Sequence, residues 1–135
     1  MTTNIFVNLP VADLAASKMF FGKLGFTFNA QFTDDTAAAM VIDSNIFAML
    51  LTHAKFQQFT PKTIADAQTS SEVLIALSRD SRDAVNAMFD AAIAAGATEV
   101  RPADDHGFMM SRAFSDLDGH IWEIIWMDPA AIQPQ

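Results

Sequence analysis

Glu123 poses the sharpest chemical question in this chain. It stands in the run Ile121-Trp122-Glu123-Ile124-Ile125, and a carboxylate buried among such side chains must find a cation, hydrogen-bond donors or a proton. A metal ion would be one such cation. The plainer alternative is an exposed strand end or a pairing with Arg112. Three histidines could add to the chemistry: His53, His106 and His120. None stands at i, i+4 from another and no His-x-His pair occurs, so none announces a metal site by spacing. His106 lies in Asp104-Asp105-His106-Gly107-Phe108, a segment suited to folding over the mouth of a site. His106, Asn8 and Glu123 together would support metal-free acid–base chemistry if their side chains converged. Cysteine is absent, which removes thiolate ligands and disulfides.

The elements that would carry these residues can be read from composition and periodicity. The chain has 135 residues, 51% of them hydrophobic and 18% charged, which suits one folded domain over 1–135. Phe occurs 12 times and Tyr not at all, so the aromatics are mainly packing material. The net charge is −8. With only scattered basic residues, that charge argues against nucleic acid or an anionic membrane surface as partner. The first residues lack a basic signal-peptide opening, and no apolar run approaches the roughly 18 residues of a membrane span. A cytoplasmic location is the default expectation.

Residues 5–9 read as a strand ended by Pro10. Asp13 caps a helix whose inner face is Leu14, Ser17, Phe20, Phe21 and Leu24, with Gly25 as terminator. Strand-like runs follow at 26–33, 37–43 and 46–53, the last two joined by Ser44-Asn45. Residues 54–71 are a polar connection broken at Pro61, with Phe56 and Phe59 embedded in it and a helical turn expected around 62–67. The pattern then restarts. Residues 72–78 form a strand, and Ser81 opens a helix with Val85, Met88, Phe89 and Ala92 on one face, closed by Gly96. Strand-like runs at 97–101, 108–115 and 120–127 follow, with Asp118-Gly119 as a hairpin signal. A βαβββ unit thus occurs twice, at about 4–53 and 72–128, and a repeat of that size is the strongest organisational signal in the chain.

Strand parity adds a consequence. In 46–53, 73–78 and 121–127 both faces are largely apolar, so both need cover, and the two helices supply cover for only one side. The second face holds smaller and isolated polar residues: Leu50 and Thr52 in one half, Leu74, Ala76 and Ser78 in the other, and Ile121 beside Glu123. Such a mixture suits the lining of a small-molecule cavity, although a fully packed core has the same parity. Phe56 and Phe59, or Trp122 and Trp126, would stack on a planar ligand. The expected fold is α+β, two βαβββ repeats forming a curved mixed sheet around a cavity.

The string Val11-Ala12-Asp13-Leu14, then Phe20-Phe21 and Leu24-Gly25-Phe26, resembles the opening of vicinal-oxygen-chelate proteins, the glyoxalase, bleomycin-resistance and dioxygenase superfamily. Asp116-Leu117-Asp118-Gly119-His120-Ile121-Trp122-Glu123 resembles their closing hairpin, and the likeness spans about residues 4–128. Phe6-Val7-Asn8-Leu9-Pro10 and Gly119-His120-Ile121-Trp122-Glu123 look like a bacterial subgroup labelled predicted lactoylglutathione lyase. In metal-dependent relatives the first and last strand of each half supply His or Glu ligands. Transferred by motif, those positions are Phe6, Leu50, Leu74 and Glu123, and only Glu123 can ligate; a shift of two residues would bring in Asn8 and Thr52.

The resemblance therefore implies a cavity protein that binds a small, partly apolar ligand, pairs as a homodimer and lacks the usual metal and any other cofactor. The alternative is a metal-dependent lyase or isomerase of glyoxalase type using a divalent ion at Glu123. A third reading is a structural dimerisation module with a vestigial pocket.

Overall fold

The computed structural model describes residues 1–132. The chain divides into two compact units, Met1–Asp66 and Ala67–Gln135, and the division falls inside the 54–71 connection. Each unit holds one βαβββ repeat, and the two are built to one plan. The strands form two four-stranded sheets, one per unit, where one curved sheet was expected.

In the first unit, β1 (Ile5–Val11), α1 (Leu14–Lys23), β2 (Thr27–Asn29), β3 (Ala37–Asp43) and β4 (Ile46–Thr52) give the order β1-β4-β3-β2. The helical crossover lets β1 run parallel to β4, while the other pairs are antiparallel. Asp13 caps α1 by accepting from the Ala16 amide at 3.0 Å. Gly25 then turns the chain away at a φ of 101°, a conformation that a Cβ would strain. Leu14, Ser17, Phe20 and Phe21 are the buried face of α1. They share the core with Leu9, Val11, Ala38, Met40, Ala48 and Leu50. Each phenylalanine buried this completely stabilises by roughly 1.5–3 kcal/mol.

Three local expectations change here. Pro10 does not end the first strand but lies within it; β1 is an edge, where the missing N–H is tolerated. The run 26–33 is a strand only to Asn29, because Asn29 accepts from the Gln31 amide at 3.0 Å and starts a 3₁₀ turn at Ala30–Phe32. The helical turn of the connection is α2 (His53–Gln57), not 62–67. It starts early because the Thr52 hydroxyl accepts from the Lys55 amide at 3.2 Å.

In the second unit, β5 (Ile75–Ser78), α3 (Arg82–Ala94), β6 (Thr98–Asp105), β7 (Met109–Ser115) and β8 (Ile121–Met127) repeat the order as β5-β8-β7-β6, again with first and last strands parallel. Ser81 caps α3 through the Ala84 amide at 3.1 Å, and Val85, Met88, Phe89 and Ala92 are its buried residues as periodicity predicts. Gly96 repeats the role of Gly25 with a φ of 114°. The strand expected at 72–78 begins only at Ile75, where its ladder with Trp122 starts. The strand expected at 97–101 runs on to Asp105, with register shifts at Glu99/Arg101 and Arg101/Asp104. The second of these shifts spans Pro102, on an edge strand where a missing N–H is tolerated.

Candidate ligand-binding site

Register places the side chains of the second sheet on two faces. Trp122 and Ile124 are buried with Phe114 and Leu77 on the face that α3 covers. Glu123 faces the other way. Its row across the sheet is Ala76 on β5, Glu123 on β8, Ala113 on β7 and Arg101 on β6. Strands are spaced at about 4.8 Å, so Arg101 starts about 10 Å from Glu123 and must reach over the strand between them. It does so across Ala113, which is fully buried, and its Nη2 donates to Glu123 Oε2 at 2.7 Å. The next row is Ser78, Ile125, Ser111 and Asp104. Ala76, Ala113, Ser78 and Ser111 are the small residues of these two rows, Ile125 and Asp104 the larger ones, beside one half-buried ion pair whose side chains are 38% (Arg101) and 17% (Glu123) exposed.

The cation that Glu123 required is therefore Arg101, and the suggested pairing with Arg112 is corrected. Arg112 lies on the opposite face. Its guanidinium stacks on Phe89 of α3 at 3.6 Å and bonds Asn86 Oδ1 at 3.0 Å and Glu99 at 3.4 Å. Sequence parity missed Arg101 because the shift between Glu99 and Arg101 turns these two residues, two apart, to opposite faces.

The remaining expected site residues distribute as follows. Ala76, Ser78 and Ile121 share the face of Glu123. Leu74 lies outside β5 and is 53% exposed. His106 bonds Asp104 Oδ1 through Nε2 at 2.9 Å, and its amide bonds the carbonyl of Met109. Met109 pairs with Met127, four residues along β8 from Glu123, about 13 Å at strand rise. His106 and Glu123 therefore do not meet. Trp122 is buried beneath the sheet, and Trp126 lies under the Arg82 guanidinium at 5.1 Å.

In the first unit, Phe6 stacks on Phe47 with ring centroids 5.0 Å apart, and exposed Asn8 shares that face beside Met49. Leu50 is on the α1 side and fully buried, so it does not share a face with Phe6. Thr52 is used as the cap of α2. Phe56 is half-buried in α2. Phe59 is exposed, with the Lys55 ammonium 5.6 Å from its ring.

The positions at which the sequence resemblance expects metal ligands, Phe6, Leu50, Leu74 and Glu123, can be set against the strand register. Ala76 is the in-register partner of Glu123 and stands five residues before the helix cap Ser81. The residue five before Asp13 is Asn8, and its partner is Met49. By strand register, Asn8 and Met49 in the first unit are therefore equivalent to Ala76 and Glu123 in the second. In the first unit this row offers an amide and a thioether, and in the second a methyl and a carboxylate already held by a guanidinium; neither row fits a divalent ion. Among the described residues no group of three His, Asp or Glu side chains is placed to hold a metal.

Two carboxylates outside this row shape the unit. Asp116 accepts from the amides of Asp118 (2.9 Å) and His120 (3.0 Å) and from Trp122 Nε1 (3.0 Å), which pins the β7–β8 turn to the core. Burial pushes its carboxyl above the usual value, against the opposing pull of His120 and the Trp122 bond. Asp105 bonds Arg82 of α3 and the Gly107 amide, and these hold its pKa down at about 2.

Comparison with known proteins agrees with this architecture. Residues 3–42 match the family described as bleomycin resistance protein-like N-terminal. No curated protein sequence matches the chain. A hypothetical protein from S. aureus superposes with a TM-score of 0.78 at 25% identity, covering 93% of this chain and 95% of that one. A glyoxalase-related enzyme from Fulvimarina pelagi gives 0.79 at 21% identity, covering 93% and 88%. A genomically encoded fosfomycin resistance protein from Listeria monocytogenes gives 0.67 at 16%, covering 93% of each. No helix among the described residues is long and apolar enough to cross a membrane. With its duplicated βαβββ plan and these similarities, the chain has the fold of the vicinal-oxygen-chelate superfamily of glyoxalase, bleomycin-resistance and dioxygenase proteins.

Proposed function

We propose that the protein binds a small, partly apolar ligand against the face of the second sheet that carries the Arg101–Glu123 pair, and that it does so without the metal of its catalytic relatives. The observation that carries this reading is the pair itself, bridged over Ala113 and ringed by Ala76, Ser78 and Ser111. Small side chains beside a charged pair leave room for a ligand, and Ile121 and Ile125 offer it apolar surface. A guanidinium already neutralises the carboxylate that would have to ligate an ion. This donor set speaks against a lactoylglutathione-lyase activity, in which a metal polarises the substrate.

The same reading takes the protein to be cytoplasmic and homodimeric, its exposed Ile5, Phe6, Val73 and Leu74 being suited to a contact between copies. Ile121, Glu123 and Ser111 amide shifts on titration with small amphiphilic compounds test the ligand site. Elemental analysis and an assay with the hemithioacetal of methylglyoxal and glutathione test the metal-free part. Stoichiometric metal together with turnover overturns it. Light scattering at micromolar concentration reports the dimer.

A further inference from the structure

We infer that the ligand taken at this site carries an oxyanion, a carboxylate or a phosphate, which Arg101 grips beside Glu123. The inference rests on the reading of the second sheet's face as a ligand site and names the chemistry of what binds there. A guanidinium offers five N–H donors in a planar fork matched to oxyanions. Arg101 spends one of them on Glu123. Among the described residues its side chain makes no other hydrogen bond, and neither does the carboxylate of Glu123. The Arg101 side chain is 38% exposed against 17% for Glu123, so Arg101 is the more accessible member of the pair.

The position of those donors is constrained. To reach Glu123, Arg101 crosses fully buried Ala113, which holds the side chain along the sheet face instead of letting it extend into water. The half-buried setting lowers screening, so an oxyanion placed there gains more than it would at a freely moving surface arginine. Ser111, on the adjacent row of β7, is buried with its hydroxyl on the same face, and a hydroxyl can donate to the anion's second oxygen. Glu123 has two opposing effects: it fixes the guanidinium and it repels an incoming anion. Its charge therefore sets the affinity of the site, and its removal has the opposite effect from removal of Arg101. A purely structural ion pair would not show that inversion.

The test is a titration of the full-length protein followed by amide chemical shifts, with acetate and inorganic phosphate as probes and chloride as the ionic-strength control. Saturable shifts at Arg101, Ser111 and Ala113 are expected. Arg101→Gln weakens them about tenfold or more, the loss of a charge-assisted contact. Glu123→Gln strengthens them about three- to tenfold as the repulsion disappears. Arg101→Lys keeps the charge without the fork and binds between the wild type and Arg101→Gln; dispersed spectra establish that each variant is folded. Response to acetate alone assigns a carboxylate ligand, and response to phosphate alone a phosphate-bearing one. Shifts that persist in Arg101→Gln, or that weaken in Glu123→Gln, overturn the inference. So does silence toward both anions. If amphiphilic neutral compounds still move these amides while both anions are silent, the inference falls and the ligand-site reading stands; if nothing moves them, both fall.

Discussion

The two repeats share one strand order and one helical crossover, and their differences isolate what side chains do. Counted from the caps Asp13 and Ser81, Phe21 and Phe89 occupy the same helical position. Counted by strand register, the row Asn8–Met49–Ala39–Asn29 in the first sheet corresponds to Ala76–Glu123–Ala113–Arg101 in the second. The small residue in the middle, Ala39 or Ala113, is common to both. Around it the first sheet has a thioether and an amide, and the second an ion pair. The side of each sheet that meets its helix differs as well. Phe21 meets Phe20 edge-on at 4.9 Å and Phe26 at 6.2 Å, whereas Phe89 carries the Arg112 guanidinium. One fold thus supports an apolar half and a half in which charge is built into the packing.

The largest expected effect comes from removing the equivalent rings. Phe21→Ala and Phe89→Ala should each destabilise their own unit by about 3–5 kcal/mol through the cavity left behind. Phe89→Ala should lose about 0.5–2 kcal/mol more, because Arg112 also loses its cation–π partner. Its Nε is already buried without a hydrogen bond, and only the contacts to Asn86 and Glu99 would remain to hold the guanidinium. Hydrogen exchange resolved by residue reads each unit separately; equal losses in the two would show that Arg112 draws nothing from the ring.

The ion pair gives the next effect. Converting the second row to apolar character in two steps, Arg101→Met and Glu123→Met, should cost about 1–2 kcal/mol for either single change, since each leaves one half-buried charge unpaired. The double variant, which matches the Met49 position of the first repeat, should return to within about 0.5 kcal/mol of the wild type. A cycle with no coupling would mean that solvent screens the pair and that the two rows differ only in composition.

How much of this was legible in the sequence follows the same division. Helices and caps were readable from Asp13, Ser81, Gly25 and Gly96, because capping is local chemistry. The duplicated unit was readable because two amphipathic helices, each preceded by a strand, recur. The partner of Glu123 was not. Finding Arg101 requires knowing that β6 shifts register between Glu99 and Arg101, and a bulge of one residue reverses every inside–outside assignment after it. That Leu50 and Phe6 lie on opposite faces was equally out of reach. Parity says which residues alternate along a strand, but only the pairing Asn8–Met49 says which face of β4 lies beside which face of β1. His106 was placed near Glu123 from a loop's composition, which carries no distance.

The β-hairpins contrast next. Asp116 holds its turn with three buried or half-buried bonds, while Asp43 at the matching turn is exposed and accepts from the Ser44 amide at 2.7 Å. Asp116→Asn should cost about 1 kcal/mol at neutral pH, because one N–H loses a full acceptor while a buried charge is also removed. Asp43→Asn should be nearly silent. Since burial raises the folded carboxyl of Asp116, its linked stability is fully present below the ordinary carboxylate range and is lost as pH rises through the raised value. Melting temperature plotted against pH should therefore lose that slope in Asp116→Asn alone. An unchanged slope would assign it to another group.

The smallest effect separates the loops between the second and third strand of each repeat. Asp34 is lowered by bonds from the Thr36 amide and hydroxyl, at 2.7 and 2.8 Å, within its own turn. Asp105 is lowered to about 2 chiefly by Arg82, which ties its loop to α3 and also bonds the Gly107 carbonyl at 2.6 Å. Both folded values are depressed, so each loop's contribution is present above the ordinary carboxylate range and is lost as pH falls through the lowered value. For Asp105 that window runs from 3.8 down to about 2. Arg82→Gln should return the Asp105 midpoint toward the ordinary value and leave Asp34 where it was, and added salt should do the same to a smaller degree. Side-chain carboxyl resonances followed by NMR from pH 6 to 2 read both residues in one sample. If Asp34 moved together with Asp105, the two loops would be responding to the net charge of the chain and not to the guanidinium that only the second repeat supplies.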